Sequence, residues 1–173
     1  MSSVTEQVGA IPKEKSIANV GTFLLVLGGV MLAPLFPNQF ISGPIVNAIL
    51  FIVTVILGLR TGILLCFIPS LMALWAGLLP AIFLPFIPFI MISNIVMVLI
   101  FNWLRLKNYW FAAGSGGVVK FIFLFVASQI FFKIFVPTTV AQGVSIMMSW
   151  NQLYSALFGA IIAFVFLKVI KRI

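Results

Sequence analysis

The sequence predicts an all-α integral membrane protein, a bundle of six transmembrane helices with its N and C termini in the cytoplasm. Three observations support this class. First, 64% of the 173 residues are hydrophobic and only 7% are charged, whereas charged residues make up roughly 25% of a soluble domain. Second, the chain contains six apolar runs that approach the ~20 residues needed to cross a bilayer. Third, its basic residues are concentrated in alternate connections between these runs.

The composition also argues against catalysis. The chain has no His, and its only acidic residues are Glu6 and Glu14, so the usual general bases and the usual zinc or iron ligands are missing. The single cysteine, Cys66, lies in an apolar run and cannot form a disulfide within the chain. We therefore predict that the chain is not an enzyme and binds neither a metal nor a cofactor.

The predicted domain organisation follows from the apolar runs. Residues 1–16 form a polar cytoplasmic tail, and residues 17–173 form one six-helix transmembrane domain. The first span is predicted to be uncleaved, because it is longer than the apolar core of a signal peptide and lacks a small-residue cleavage site. The predicted spans are, in order, 17–36, 43–59, 63–79, 80–104, 112–136 and 150–170.

Three prolines, Pro80, Pro85 and Pro88, lie in the first part of the fourth predicted span. Proline has no backbone N–H and clashes with the preceding helical turn. We therefore expect an irregular or kinked start to this span and a regular helix from about Phe89.

The charge pattern sets the predicted orientation. The connections around Asn38, Leu79 and Thr139 are uncharged, whereas the turn predicted at 60–62 and the segment 105–110 are basic. Positive charge marks the cytoplasmic side, so both termini are predicted to be cytoplasmic in a multi-pass protein of the plasma membrane. Scattered basic residues favour contact with anionic lipid headgroups and not nucleic-acid binding. Those assigned to the cytoplasmic side are Lys13, Lys15, Arg60, Arg105, Lys107, Lys168, Lys171 and Arg172.

Polar residues within the spans form the candidate substrate-binding site. Most of them fall in the outer half of the membrane, where a bundle would bring them to a site facing the exterior. Hydrogen bonding between helices is the alternative explanation for the amides, and membership of the interfacial aromatic belt is the alternative for the Trp. The candidates are Asn47, Asn94, Gln129, Lys133, Trp150, Asn151 and Gln152.

Two lysines in the fifth predicted span differ in direction. No Asp or Glu follows Glu14, so neither lysine has a carboxylate partner within the spans. Helical side chains lean toward the N-terminus, so Lys120 is expected to snorkel to the nearby cytoplasmic surface. Lys133 leans toward the membrane centre and shares a face with Gln129, which makes this pair the best candidate for a ligand contact. The predicted ligand is neutral or anionic, because the site has no acid to hold a cation.

Four segments carry a resemblance to a known family. They are residues 42–48 (SGPIVNA), 85–94 (PFIPFIMISN), 119–121 (VKF) and 149–156 (SWNQLYSA). Together with the six-span plan they resemble the substrate-binding S components of energy-coupling factor (ECF) transporters, a class of prokaryotic ABC importer. The resemblance implies a subunit that captures a vitamin or related micronutrient outside the cell. It would then dock on a transmembrane coupling subunit driven by two cytoplasmic ATPases.

The resemblance also implies a docking face on the first helix, where the family often has an Ala-x-x-x-Ala motif. Here the corresponding spacing occurs only as Ala18-x-x-x-Thr22 and Gly29-x-x-x-Ala33. The chain has no G-x-x-x-x-G-K-[ST] loop, so it is not expected to bind ATP itself.

Two other classes of function fit the composition. A self-sufficient small-solute transporter or channel would need coupling groups or a continuous polar path, and carboxylates for ion coupling are missing from the spans. A structural or assembly membrane protein would use its small-residue faces for packing and have no pocket. Retention of a small molecule on purification would separate the capture subunit from both.

Overall fold

The described part of the chain is helical throughout. A computed structural model describes residues 13–36, 38–75, 81–135 and 150–172. Short 3-10 helices at Ala33–Leu35 and Ala81–Phe86 accompany the α-helices. The α-helices of these residues are α1 (Lys13–Leu32), α2 (Gln39–Ile56), α3 (Leu59–Leu65), α4 (Ile68–Trp75), α5 (Ile87–Leu104), α6 (Tyr109–Phe135) and α7 (Trp150–Val169).

Three helical segments of the described residues are long and apolar enough to cross a membrane: Leu84–Leu104, Tyr109–Phe131 and Trp150–Val169. The prediction of an all-helical protein is confirmed for the described residues, and three of its helices have the length and composition that a membrane span requires. Shorter apolar helices occupy Gly21–Leu32, Phe40–Ile56 and Leu59–Trp75.

The second and third predicted spans have different boundaries from those expected. The turn between them lies at Gly58, whose φ of 90° is a conformation that only glycine adopts without strain. The turn predicted at residues 60–62 is therefore wrong, and these residues lie inside α3. The third span is also interrupted, because α3 ends at Leu65 and α4 starts only at Ile68.

The start of α2 also corrects a predicted loop. Residues 38–42 were expected to connect two spans, but α2 already begins at Gln39. Asn38 caps it, since its Oδ1 accepts a hydrogen bond of 2.9 Å from the Phe40 N–H. Only the capping residue of the predicted loop thus lies outside the helix.

Pro85 and Pro88 of the fourth span act as predicted, and Pro80 lies outside the described residues. A 3-10 helix at Ala81–Phe86 precedes the regular helix α5, which begins at Ile87 with Pro88 in its first turn. That position suits proline because the first N–H groups of a helix have no partner within the helix. The predicted loop 137–149 and the predicted tail 1–16, apart from the first residues of α1, lie outside the described residues.

Close contacts at glycines show which helices of the bundle are neighbours. A Cβ added at Gly43 would lie 2.9 Å from Ser155 Cβ, and one at Gly159 would lie 2.8 Å from Asn47 Cβ. From the first contact to the second, the residue number increases by four on α2 and by four on α7. The two helices therefore run parallel, with their backbones nearly touching. On α6, a Cβ at Gly116 would lie 2.9 Å from the Met97 carbonyl of α5, and one at Gly117 would lie 3.1 Å from Ala156 of α7.

Aromatic contacts locate the basic end of the bundle. The ring of Tyr109, at the start of α6, lies 5.5 Å from Phe101 near the end of α5 and 5.3 Å from Phe164 near the end of α7. The Tyr109 hydroxyl also donates to the Ala160 carbonyl at 2.8 Å. The end of α5, the start of α6 and the end of α7 therefore meet, which brings Arg105, Lys107 and Lys168 to one end of the molecule.

Candidate functional site

Lys120 lies inside the bundle. Its side chain is 2% exposed, and its ammonium donates a hydrogen bond of 2.7 Å to Asn47 Oδ1 on α2. The expectation that Lys120 snorkels to the cytoplasmic surface is therefore wrong. The reason is its face of α6: it follows Gly116 by one turn, and that small-residue face packs against α5 and α7.

Asn47 links this lysine to a third helix. Its Nδ2 donates to Ser155 Oγ on α7 at 2.9 Å, and the Ser155 hydroxyl donates to the Gln152 carbonyl at 3.0 Å. Both ends of the Asn47 amide are thus bonded, as a buried polar group requires. The resulting chain of hydrogen bonds joins α6, α2 and α7. We call Lys120, Asn47, Ser155 and Asn94 the polar cluster.

Asn94 of α5 belongs to the polar cluster by its register. Gly116 meets the Met97 carbonyl where α5 and α6 pack antiparallel. Asn94 is three residues before Met97, and Lys120 is four residues after Gly116, so both lie about one turn from this contact in the same direction. Asn94 is 3% exposed, and its Oδ1 has no hydrogen-bond partner among the described residues.

The electrostatics of the polar cluster are unusual for a buried site. An ammonium can donate three hydrogen bonds, yet among the described residues Lys120 donates to one neutral amide oxygen. No Asp or Glu follows Glu14 in the sequence, so the helices around Lys120 contribute no carboxylate. A buried charge is costly unless it is paired with an opposite charge or fully hydrogen-bonded.

Close packing shields the polar cluster on its basic side. The contacts of Gly116 with Met97 and of Gly117 with Ala156 lie one turn from Lys120, toward Tyr109. Beyond them the rings of Phe101, Tyr109 and Phe164 pack together. Access to the polar cluster from the basic end would require these helices to separate.

The predicted binding residues fall into three groups. Asn47 and Asn94 lie in the polar cluster, and Gln152 contributes its backbone carbonyl. Trp150 is 67% exposed at the start of α7, with its ring 5.6 Å from Phe121, and Asn151 is half-buried beside it. Gln129 is exposed, nine residues and about two and a half turns beyond Lys120, so it lies on the opposite side of α6.

The remaining candidate, Lys133, lies within α6, but its side chain is outside the described residues. Its pairing with Gln129 stays a prediction.

Sequence reasoning missed Ser155 and assigned Lys120 to the surface. A signal for both exists in the spacing of glycines, because Lys120 follows Gly116 by four residues and Ser155 precedes Gly159 by four. Residues four apart share a helix face, and these glycines mark the faces on which helices pack.

The predicted docking residues lie on α1 and, for Ala33, on the 3-10 helix that follows it, and they are buried to different degrees. Gly29 faces the protein's own α2, since a Cβ added there would lie 3.2 Å from Ile49 Cδ1, and Ala33 is buried. Thr22 is half-buried, and the side chain of Ala18 lies outside the described residues. Gly29 and Ala33 thus contribute to packing within this chain.

The donor set of the polar cluster suits polar organic groups. Two amides, a hydroxyl and an ammonium are poor metal ligands compared with carboxylate, imidazole or thiolate. No group of three or more His, Cys, Asp or Glu side chains that could hold a metal occurs among the described residues.

Comparisons with known proteins add no family. No protein-family model matches the chain, and neither the curated proteins nor the solved structures gave a match.

Proposed function

We propose that this chain is the substrate-capture subunit of an importer of the energy-coupling factor type. In this proposal it spans the plasma membrane of a prokaryote six times, with both termini in the cytoplasm. It binds a vitamin-like small molecule from outside and docks on a transmembrane coupling subunit driven by two cytoplasmic ATPases.

The observation that carries the proposal is the polar cluster. A purely structural network is expected to satisfy all its members, and the Asn47 amide is indeed bonded at both ends. In the same cluster Asn94 Oδ1 has no partner among the described residues, and Lys120 has a single neutral acceptor. In a small-molecule site, buried polar groups with unused hydrogen-bonding capacity bind and orient the ligand.

The proposed energy source follows from the sequence. Proton relays within membranes are commonly built from Asp, Glu and His side chains, and this chain has no His and no Asp or Glu after Glu14. It also has no phosphate-binding loop for ATP. Energy for concentrative uptake would therefore come from partner ATPases.

Two measurements test the proposal. The first is mass spectrometry of small molecules extracted from the chain purified out of native membranes, where we expect a retained solute at near-stoichiometric amount. The second is uptake of that solute into liposomes. We expect accumulation only when the coupling subunit, the ATPases and ATP are also present. Concentrative uptake by the chain alone under an ion gradient would favour a self-sufficient transporter. A chain that retains no solute would favour a structural or assembly role.

A further inference from the structure

Lys120 has more hydrogen-bonding capacity than the described residues around it use. Its ammonium is buried and reaches Asn47 Oδ1 at 2.7 Å, and the same amide is held in place by Ser155. No other acceptor for this ammonium lies among the described residues, so two of its three N–H donors are left for a ligand. The group that best matches them is an oxyanion, because hydrogen bonds between charged partners are about twice as strong as neutral ones.

Asn94 offers an acceptor where Lys120 offers donors. Its Oδ1 is a buried acceptor without a partner among the described residues, so it needs an N–H or O–H donor. The register of α5 against α6 places it level with Lys120. A ligand that satisfies both residues must therefore carry an anionic acceptor and a hydrogen-bond donor.

We infer that the captured solute is a small carboxylic acid that bears an N–H or O–H group, with its carboxylate on Lys120 and its donor on Asn94 Oδ1. This inference rests on the proposed function and names the chemistry of its substrate. It also moves the acid-binding role from Lys133, where sequence reasoning put it, to Lys120. Asn47 and Ser155 act as positioning residues, because they fix the direction of the ammonium.

The route of entry follows from the packing around the polar cluster. Helices α5, α6 and α7 are in glycine contact on the side toward Tyr109. An acid reaching Lys120 without separating these helices has to approach from the opposite side, which is the outer side in the proposed topology. Capture from outside is consistent with this arrangement.

The test compares solutes retained by the full-length chain and its variants. Each protein is purified from the same cells, checked for folding by size-exclusion chromatography and circular dichroism, and extracted for mass spectrometry. We expect the wild type to retain a carboxylic acid that carries an N–H or O–H donor. Lys120→Met should retain roughly ten- to a hundredfold less of it. Asn94→Leu should retain roughly tenfold less, and Lys107→Met, an exposed lysine at the basic end, should match the wild type.

The outcomes separate this inference from the proposed function. A retained solute without a carboxylate, or an acid held equally well by Lys120→Met, overturns the inference and leaves the capture function standing. Loss of the acid in Lys133→Met but not in Lys120→Met likewise overturns it, in favour of the Lys133 site. If the wild type retains no solute, so that only water fills the polar cluster, both fail. If Lys120→Met does not fold, the Asn94→Leu result decides.

Discussion

The contact between α2 and α7 can be tested at Gly159. A Cβ added there would lie 2.8 Å from Asn47 Cβ, 2.8 Å from the Pro44 carbonyl oxygen and 2.9 Å from the Ala48 nitrogen. Carbon atoms in good contact are about 3.5–4.0 Å apart, so α2 and α7 would have to separate by roughly 0.7–1.2 Å. Overpacking of this kind costs about 1–3 kcal/mol. Since two of the three atoms are backbone, we expect the upper part of that range for Gly159→Ala.

The matched control is Gly28→Ala in α1, where the added Cβ has no atom of another packed element of the described residues within 4 Å. Both variants gain about 1 kcal/mol in helix propensity, so their difference isolates the clash. By thermal unfolding in detergent, followed by tryptophan fluorescence, Gly159→Ala should melt roughly 4–12 °C below Gly28→Ala. Equal melting temperatures for the two variants would refute the close packing of α2 against α7.

Two further predictions concern the polar cluster and the topology. Asn94→Leu should raise the free energy of unfolding of the ligand-free protein by about 1–3 kcal/mol, because it removes an unpaired buried acceptor. Asn47→Leu should lower it by a similar amount, because it leaves the partners of Asn47 unpaired. Thermal unfolding of both variants measures these changes, and a destabilised Asn94→Leu would mean that Asn94 has a partner. On a Cys66→Ala background, a membrane-impermeant maleimide should label Thr139→Cys in intact cells and Ser3→Cys only after lysis. The reverse labelling pattern would contradict cytoplasmic termini.

The sequence predicted the helical segments better than their ends. Apolar runs and the prolines of the fourth span located α5 and its irregular start, because both signals depend only on local chemistry. The turn before α3 was misplaced because Gly58 and Gly62 look alike in sequence. Gly58 adopts a positive φ, whereas Gly62 is helical and packs against Thr54, with an added Cβ 2.6 Å from Oγ1. Only the fold distinguishes a turn glycine from a packing glycine.

The candidate site was predicted only in part, for a related reason. Depth along the span suggested that Lys120 could reach the surface, but burial depends on which face of α6 packs. That helix is apolar nearly all round, so it has no polar face to mark the outside. Asn47 and Asn94 were identified as buried amides, yet their different situations, one fully bonded and one not, arise from partners on other helices.

The hydrogen bonds of the polar cluster also bear on the order in which the protein is assembled. Asn47 is bonded to residues that follow it by 73 and 108 positions, so during synthesis its amide enters the membrane long before its partners exist. Ser155 and the glycine contacts of α7 arrive after the other described helices. The bundle can therefore close only once α7 has been inserted. Until then Asn47 lacks its Ser155 partner, and the face of α2 that meets Gly159 stays exposed to lipid or water.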